Sequence, residues 1–431
     1  MLRKIKIDRF KSVRDAELEF GRVNLFIGGN GAGKSNLLEA IGVMAAALNR
    51  GISDTELSRK GVRLTPAALM KSAFKNFDLP KTLRLEAYFS DDINYALELS
   101  SGEKNTVLSF LTEKAYHNGN KIFGRSGAGH NVLGNRITRK LDKQRSIWDQ
   151  TRTAFDFHPE IQENFDALSR FAIYAPQTEF LREIRSGLIS DPPIGLHGEG
   201  LSIAVSSFIA QYSNAYAKRY KEKGVPTEKY KQIKEALDLL WLPGWATAVK
   251  AGSIDPLLKS PGMASSEGQI VYFTDKYMHE RRRSLSAYDS SEGTLFLLFM
   301  SILLCHEESP PIFSIDNVDN ALNPALTRKL LEAMISILKR RIQSDLEIGP
   351  RQVFLTSHNP SSLDAFDLFD DDQRVFVVSR SDKGFTTANR LKPRAGWTRD
   401  EWTRAFKGKK MSQLWIDGEI QGAFGIQETK L

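Results

Sequence analysis

The sequence predicts an α/β fold, a mixed β-sheet flanked by helices and interrupted by an inserted, mainly helical subdomain. Three observations predict it. The apolar runs Val23–Ile27, Ile312–Ile315 and 353–356 are short and mostly apolar, the first ending at glycines and the other two at polar residues, as buried strands do. A glycine-rich loop follows the first run, and a helical pattern follows the loop. The first two runs also lie much further apart in sequence than a compact sheet of this kind requires, which leaves room for an insertion.

The loop reads Gly28-Gly29-Asn30-Gly31-Ala32-Gly33-Lys34-Ser35. The pattern G-x-x-x-x-G-K-[ST] between strand and helix is a phosphate-binding loop. Its glycines permit positive φ and let backbone N–H groups close around phosphate oxygens. The helix that starts near Lys34 aims the positive end of its dipole at the same anion. Asn30, Gly31, Ala32, Gly33, Lys34, Ser35 and Asn36 are therefore the expected contacts to ATP. Lys34 would reach the outer phosphates, and the Ser35 hydroxyl would take one position on Mg²⁺.

Composition sets the outer bounds. A chain of 431 residues suggests one large domain with an insertion, or two domains. The single cysteine, Cys305, rules out a disulfide framework within the chain and fits a reducing cytoplasm. No apolar run approaches the ~18–20 residues of a membrane helix, and Met1-Leu2-Arg3-Lys4 lacks the apolar centre of a secretion signal. A cytoplasmic protein without a membrane partner is expected. The net charge of +8 permits nucleic-acid binding without establishing it.

In chain order, residues 2–8 alternate apolar and basic and read as a half-buried strand. Phe10-Lys11-Ser12-Val13 is a turn into a second strand near 17–20, and Val23–Ile27 is the third. Residues 37–48 form the helix after the loop; 49–81 are loop and short helix, and hairpin-like strands run on to about 111. Residues 124–134 are glycine-rich and read as a loop, whereas 136–152 and 215–241 read as charged helices. A short strand is expected within 171–176. Order returns with a strand at 269–274, an apolar helix at 295–304, a helix at 323–341 and a closing hairpin formed by 375–378 and 385–390. The boundaries that follow are 1–111 and 269–392 for the two parts of the head, 112–268 for the insertion, and 393–431 for a basic, aromatic tail.

Ile312-Phe313-Ser314-Ile315-Asp316 is an apolar strand ending in an acid, suited to holding the Mg²⁺ that Ser35 also touches. Upstream, Ser291-Glu292-Gly293-Thr294 opens a helix. Ser291 there is either an ordinary N-cap or, with Gly293, a donor to a γ-phosphate. Downstream, Thr356-Ser357-His358-Asn359-Pro360 ends a buried strand.

Together these motifs resemble the ABC-type ATPase head, in its RecF, OLD and SMC-like branch, over roughly 1–110 and 265–392. The resemblance implies that Asp316 is the Walker B acid and that Ser291 and Gly293 belong to the signature segment, which completes the ATP site of a second subunit. A head-to-head homodimer or higher oligomer follows. It further implies that His358 senses the γ-phosphate and that Lys11 and Ser12 lie near the nucleotide, although both also suit a plain turn. Gln177, after Tyr174-Ala175-Pro176, is either a loop glutamine that reaches the metal or a surface amide. One position departs from the family pattern. Where a glutamate usually follows the Walker B acid, this chain has Asn317. An amide orients water but cannot take its proton. Either turnover is slow, or Asp319 or His358 substitutes as base, or ATP acts mainly as a clamp. Slow hydrolysis is the expectation, and Asp319 suits a displaced base and a dimer contact equally.

Within that branch the chain looks like the AAA-type ATPases of bacterial anti-phage systems, such as the PtuA type, which act beside a separate nuclease. The run from Asp316 to Pro324 and the late Leu414, Trp415 and Gly418 carry that likeness. It implies a sensor or regulatory scaffold with an effector nuclease as partner. A RecF/SMC-like ATPase acting directly on DNA and the ATP-binding subunit of a membrane transporter are the other readings. Ser-Glu-Gly-Thr and the long insertion speak against the transporter.

Overall fold

The computed structural model describes residues 1–90, 92–101, 107–127, 129–185, 193–221, 228–256, 269–344 and 349–420. Two compact units form: Met1–Ile173 with Pro311–Val318 and Gln352–Leu431, and Tyr174–Pro310 with Asp319–Arg351. In chain order the strands begin β1 (Lys4–Phe10), β2 (Val13–Glu19), β3 (Val23–Ile27), β4 (Thr82–Tyr88), β5 (Ile93–Ser101), β6 (Leu108–His117), β7 (Asn120–Ser126), β8 (Gly129–Val132) and β9 (Asn135–Ile137). They continue with β10 (Ile173–Tyr174), β11 (Ala246–Ser253), β12 (Gln269–Asp275), β13 (Ser284–Ser286), β14 (Ile312–Ile315), β15 (Gln352–Ser357), β16 (Gln373–Arg380) and β17 (Thr386–Leu391).

The first unit holds two sheets. One is an eight-stranded antiparallel sheet in the order β2-β1-β4-β5-β6-β7-β8-β9. The other runs β10-β14-β15-β3-β16-β17, with parallel pairs from β14 through β16 and β17 antiparallel at its edge. All residues of β3, β14 and β15 are buried, which is why these runs show no alternation. Helix Lys34–Asn49 is buried nearly all round, and its run Ala45-Ala46-Ala47 lets neighbouring elements approach closely. Phe20 meets Phe354 edge-on with centroids 4.8 Å apart, while Phe26 stacks on Phe376 at 5.2 Å. Buried Gln352 fastens the start of the chain. It accepts from the Leu2 N–H at 3.0 Å and donates to the carbonyls of Leu2 and Gly21 at 2.8 and 2.7 Å.

The sequence expectation differs here in two respects. Residues 124–134 are β7, β8 and their connections rather than a loop, with Ala128 of that stretch outside the described residues. Of the helix expected at 136–152, only Ile147–Thr151 forms; 135–137 is β9. Polar, charged strands on an exposed part of an antiparallel sheet lack the apolar periodicity by which strands are recognised. The strands therefore continue past 111, and the second compact unit begins at Tyr174.

The second unit is mainly helical, with a small antiparallel sheet β11-β12-β13. Helix Glu292–Cys305 is its centre and is buried from Thr294 onward. The expected helix 215–241 is two helices, Leu201–Lys221 and Glu228–Leu240, with 222–227 outside the described residues. Buried Arg341 closes the end of the central helix: its guanidinium donates to the carbonyls of Leu304 and Pro350 and to the Gln232 side chain.

One buried carboxyl in the first unit makes stability depend on pH. Glu113 on β6 is fully buried, accepts from the Tyr95 hydroxyl and the Ile147 N–H, both at 2.9 Å, and lies 3.6 Å from Arg125. Burial outweighs the arginine and raises its pKa to about 7. An unfolded glutamate titrates near ~4.3, so between those values the folded chain holds the extra proton. The stabilisation is complete below the unfolded pKa and is lost as pH rises toward 7. Glu113→Gln should abolish that decline. Urea unfolding at pH 5 and pH 8 measures it, and an unchanged pH slope would contradict the assignment.

Candidate nucleotide site

The site forms where parallel strands of the first unit end together. Ile27 at the end of β3 pairs with Ser357 of β15 on one side and Val377 of β16 on the other, and Ile315 of β14 pairs with Leu355. The phosphate loop, Asp316 and His358 therefore leave the sheet at the same edge. In parallel sheets this carboxyl edge is where ligands bind.

Three glycines in the loop have different reasons. Gly31 (φ +74°) and Gly33 (φ +107°) adopt left-handed backbone, and a side chain on Gly33 would also strike Thr386. Gly28 is required for space, because a Cβ there would lie 2.0 Å from the Val378 carbonyl oxygen. Helix Lys34–Asn49 starts at Gly33 with no side-chain cap, so its first N–H groups face the loop. That is the anion-binding arrangement. Buried Lys34 donates to the carbonyls of Gly28 and Gly29 at 2.7 and 3.1 Å, which holds its ammonium within the loop.

Asp316 is gripped at both oxygens. Oδ2 accepts from Ser35 Oγ at 3.0 Å, and Oδ1 accepts from Thr356 Oγ1 at 2.5 Å. Two oxygens bound side by side to an octahedral Mg²⁺ at about 2.1 Å lie about 3.0 Å apart. The Ser35–Asp316 pair fits such an ion, with Lys34 and the loop amides for the phosphates it would accompany. Thr356 Oγ1 also accepts from the Asn317 N–H at 2.7 Å. Asn317 itself is left-handed, φ +60°, a conformation that asparagine tolerates far better than most residues.

Around the loop, Ser12 is within 2.7 Å of Thr386 and accepts from Asn36 at 2.5 Å; Thr386 donates to Ala32 O at 2.9 Å, and Arg380 to Gly31 O at 2.9 Å. Lys11 pairs with buried Glu39, which also accepts from Arg63 at 2.5 Å. Burial holds the Lys11 ammonium below its ordinary pKa.

The other expected site residues have these positions. His358 directly follows β15 and is exposed. Ser291 caps helix Glu292–Cys305: its hydroxyl lies 2.7 Å from Thr294 Oγ1 and accepts from the Thr294 N–H at 3.3 Å. A Cβ on Gly293 would lie 3.0 Å from the Ala321 carbonyl. Gln177 is exposed, with its amide 3.4 Å from His197. Ser291, Gly293, Gln177 and Asp319 belong to the second unit, whereas the loop, Asp316, Asn317 and His358 belong to the first.

Sequence reasoning missed Thr356, Thr386, Arg380 and Glu39. Thr356 was detectable, since a hydroxyl next to the polar end of a buried strand needs a partner. The others act through a sheet register that no local pattern reveals. Thr356→Val should weaken Mg²⁺-dependent ATP affinity by about 10–100-fold, the usual effect of losing a residue that orients a ligand carboxylate. Calorimetric titration with and without Mg²⁺ checks this, and an unchanged Mg²⁺-dependent affinity would contradict it.

Comparisons with known proteins add the family. No curated protein matches the chain. Among solved structures it is similar to the SMC head domain from Thermotoga maritima, with 14% identity, 91% of this chain and 99% of that chain covered, and a TM-score of 0.44. It is also similar to the recombination mediator protein RecF of the RecFOR pathway. The RecF-ATPrS structure gives 16% identity, coverage of 91% and 98%, and a TM-score of 0.33; the RecF-ATP structure gives the same identity and score, with coverage of 91% and 99%. A family model matches residues 23–364, from the strand before the phosphate loop to beyond His358. The chain belongs to that family, described as "AAA domain, putative AbiEii toxin, Type IV TA system".

Proposed function

We propose that this AAA-family protein is an ABC-type ATPase that binds ATP with Mg²⁺, dimerises head to head around it and hydrolyses it slowly. It serves as a sensor and regulatory scaffold in anti-phage defence or DNA transactions, with a separate effector such as a nuclease. The observation that carries the reading is Asp316, held between Ser35 of the phosphate loop and Thr356, with an amide at the next position. The family description names a toxin–antitoxin system, which accords with a role in defence.

In this reading Lys34 neutralises phosphate charge, Ser35 and Asp316 hold Mg²⁺, and His358 senses the γ-phosphate. Ser291 and Gly293 serve the partner's ATP, and Gln177 couples metal to the second unit. The Asn317 amide orients water without accepting its proton, and Asp319, a buried carboxylate two residues on, is the first candidate for a displaced base. Slow turnover makes the nucleotide a clamp whose lifetime sets the signal.

A RecF/SMC-like ATPase acting directly on DNA is the second reading. Arg281, Arg282 and Arg283 are exposed together and favour it, since such cations neutralise phosphates. The basic run Lys407-Gly408-Lys409-Lys410 favours it less, because Lys409 is paired with Asp417 and Glu419, both at 2.7 Å. Among the described residues no helix is long and apolar enough to cross a membrane.

Single-turnover hydrolysis, followed together with light scattering, tests the clamp. Wild type should form a dimer with Mg²⁺·ATP that outlasts the mixing time by far. Asn317→Glu restores a base at a cost of about 1–2 kcal/mol for its left-handed backbone; it should cleave ATP ~10²-fold faster or more and release the dimer in step. A wild-type rate in the ordinary enzyme range, on the order of 1–10³ s⁻¹, would contradict the proposal.

A further inference from the structure

The first unit carries a second cluster of ligating side chains, on elements that the nucleotide site does not use. His117 ends β6, His158 caps helix Pro159–Ser169, and Glu160 stands in the first turn of that helix. One ligand atom from each lies within 4.8 Å of the others, a grouping found once among the described residues. The two imidazoles are 4.8 Å apart between ring centres and inclined by 45°. His117 Nε2 is 3.6 Å from Glu160 Oε2, too long for a firm hydrogen bond.

We propose that His117, His158 and Glu160 bind a divalent transition-metal ion of the zinc class. The 3.6 Å separation is close to the edge of a tetrahedron around Zn²⁺, about 3.3–3.5 Å for ligands at 2.0–2.1 Å. Two imidazole nitrogens and one carboxylate oxygen suit zinc, cobalt or nickel. They do not suit Mg²⁺, which prefers oxygen ligands in an octahedron. The histidine at the cap is available to an ion, because its bond from the Glu160 N–H is long, 3.4 Å. With three protein ligands the fourth position goes to water. His158 and Glu160 are exposed and His117 is half-buried, so an ion can enter from solvent.

Such an ion would pin the end of the β6–β7 hairpin to helix Pro159–Ser169. That helix carries Phe165, which packs against Tyr95 and Phe123 of the antiparallel sheet at 5.5 and 6.3 Å. Metal bound only by the folded chain stabilises it by mass action.

The test uses the full chain and ZnCl₂, with Mg²⁺ in excess so that the nucleotide site does not compete. Calorimetry should show one equivalent of Zn²⁺ bound by wild type. His117→Gln, His158→Asn and Glu160→Gln should each bind it about tenfold more weakly or worse. Asn at 158 still offers a cap acceptor, and Glu160 is exposed, so loss of binding in those two variants is not loss of the helix. Saturating Zn²⁺ should raise the wild-type Tm by about 5 °C and leave the His117→Gln/His158→Asn double variant unmoved. Cobalt in place of zinc should give wild type the visible absorption of a tetrahedral ion. Equal affinity in wild type and the single variants, or no binding by wild type, would overturn the proposal.

Discussion

Asp316 ties three segments of the first unit together through its two carboxylate oxygens. One holds Ser35, the last residue of the phosphate loop; the other holds Thr356 at the end of the neighbouring strand. Thr356 passes the constraint on to the Asn317 backbone. The arrangement depends on parallel register, which brings the ends of β3, β14 and β15 to one edge. Slipping β14 or β15 by one residue would turn Asp316 or Thr356 to the opposite face. The fully buried apolar strands thus exist as much to fix this register as to fill the core.

The same edge explains what the site can and cannot do. Phosphate chemistry needs positive charge, N–H donors and a metal-holding carboxylate, the roles proposed for Lys34, the loop and Asp316. Hydrolysis also needs an acceptor for the proton of water. Asn317 cannot be that acceptor, and its left-handed backbone suits asparagine better than glutamate. In the proposed reading, such a site holds a nucleotide for longer than it takes an ordinary ATPase to cleave it, and the bound state is the output.

The legible parts of the sequence were those whose physics is local. The phosphate loop, the buried runs and the capped helices each depend on neighbours within a few residues, so β3 and β14 were readable to the residue. The central helix of the second unit, Glu292–Cys305, was readable within a turn. The strands between 112 and 137 were not, because their residues are mostly polar and alternate weakly, and pairing across the sheet defines them rather than pattern. The Arg380–Gly31 and Thr386–Ala32 bonds were illegible for the same reason: each joins residues some 350 positions apart. For Ser291 the sequence left cap and signature open. Its bonds to Thr294 are those of a cap.

The central claim is that the loop around Lys34 binds nucleotide phosphates. Calorimetric titration of Mg²⁺·ATP into wild type and Lys34→Ala tests it most directly, because the substitution removes the cation buried in the loop while leaving the glycines and helix in place. The account predicts binding by wild type and its loss in the variant. An affinity for the variant within about threefold of wild type, less than 1 kcal/mol, would contradict it.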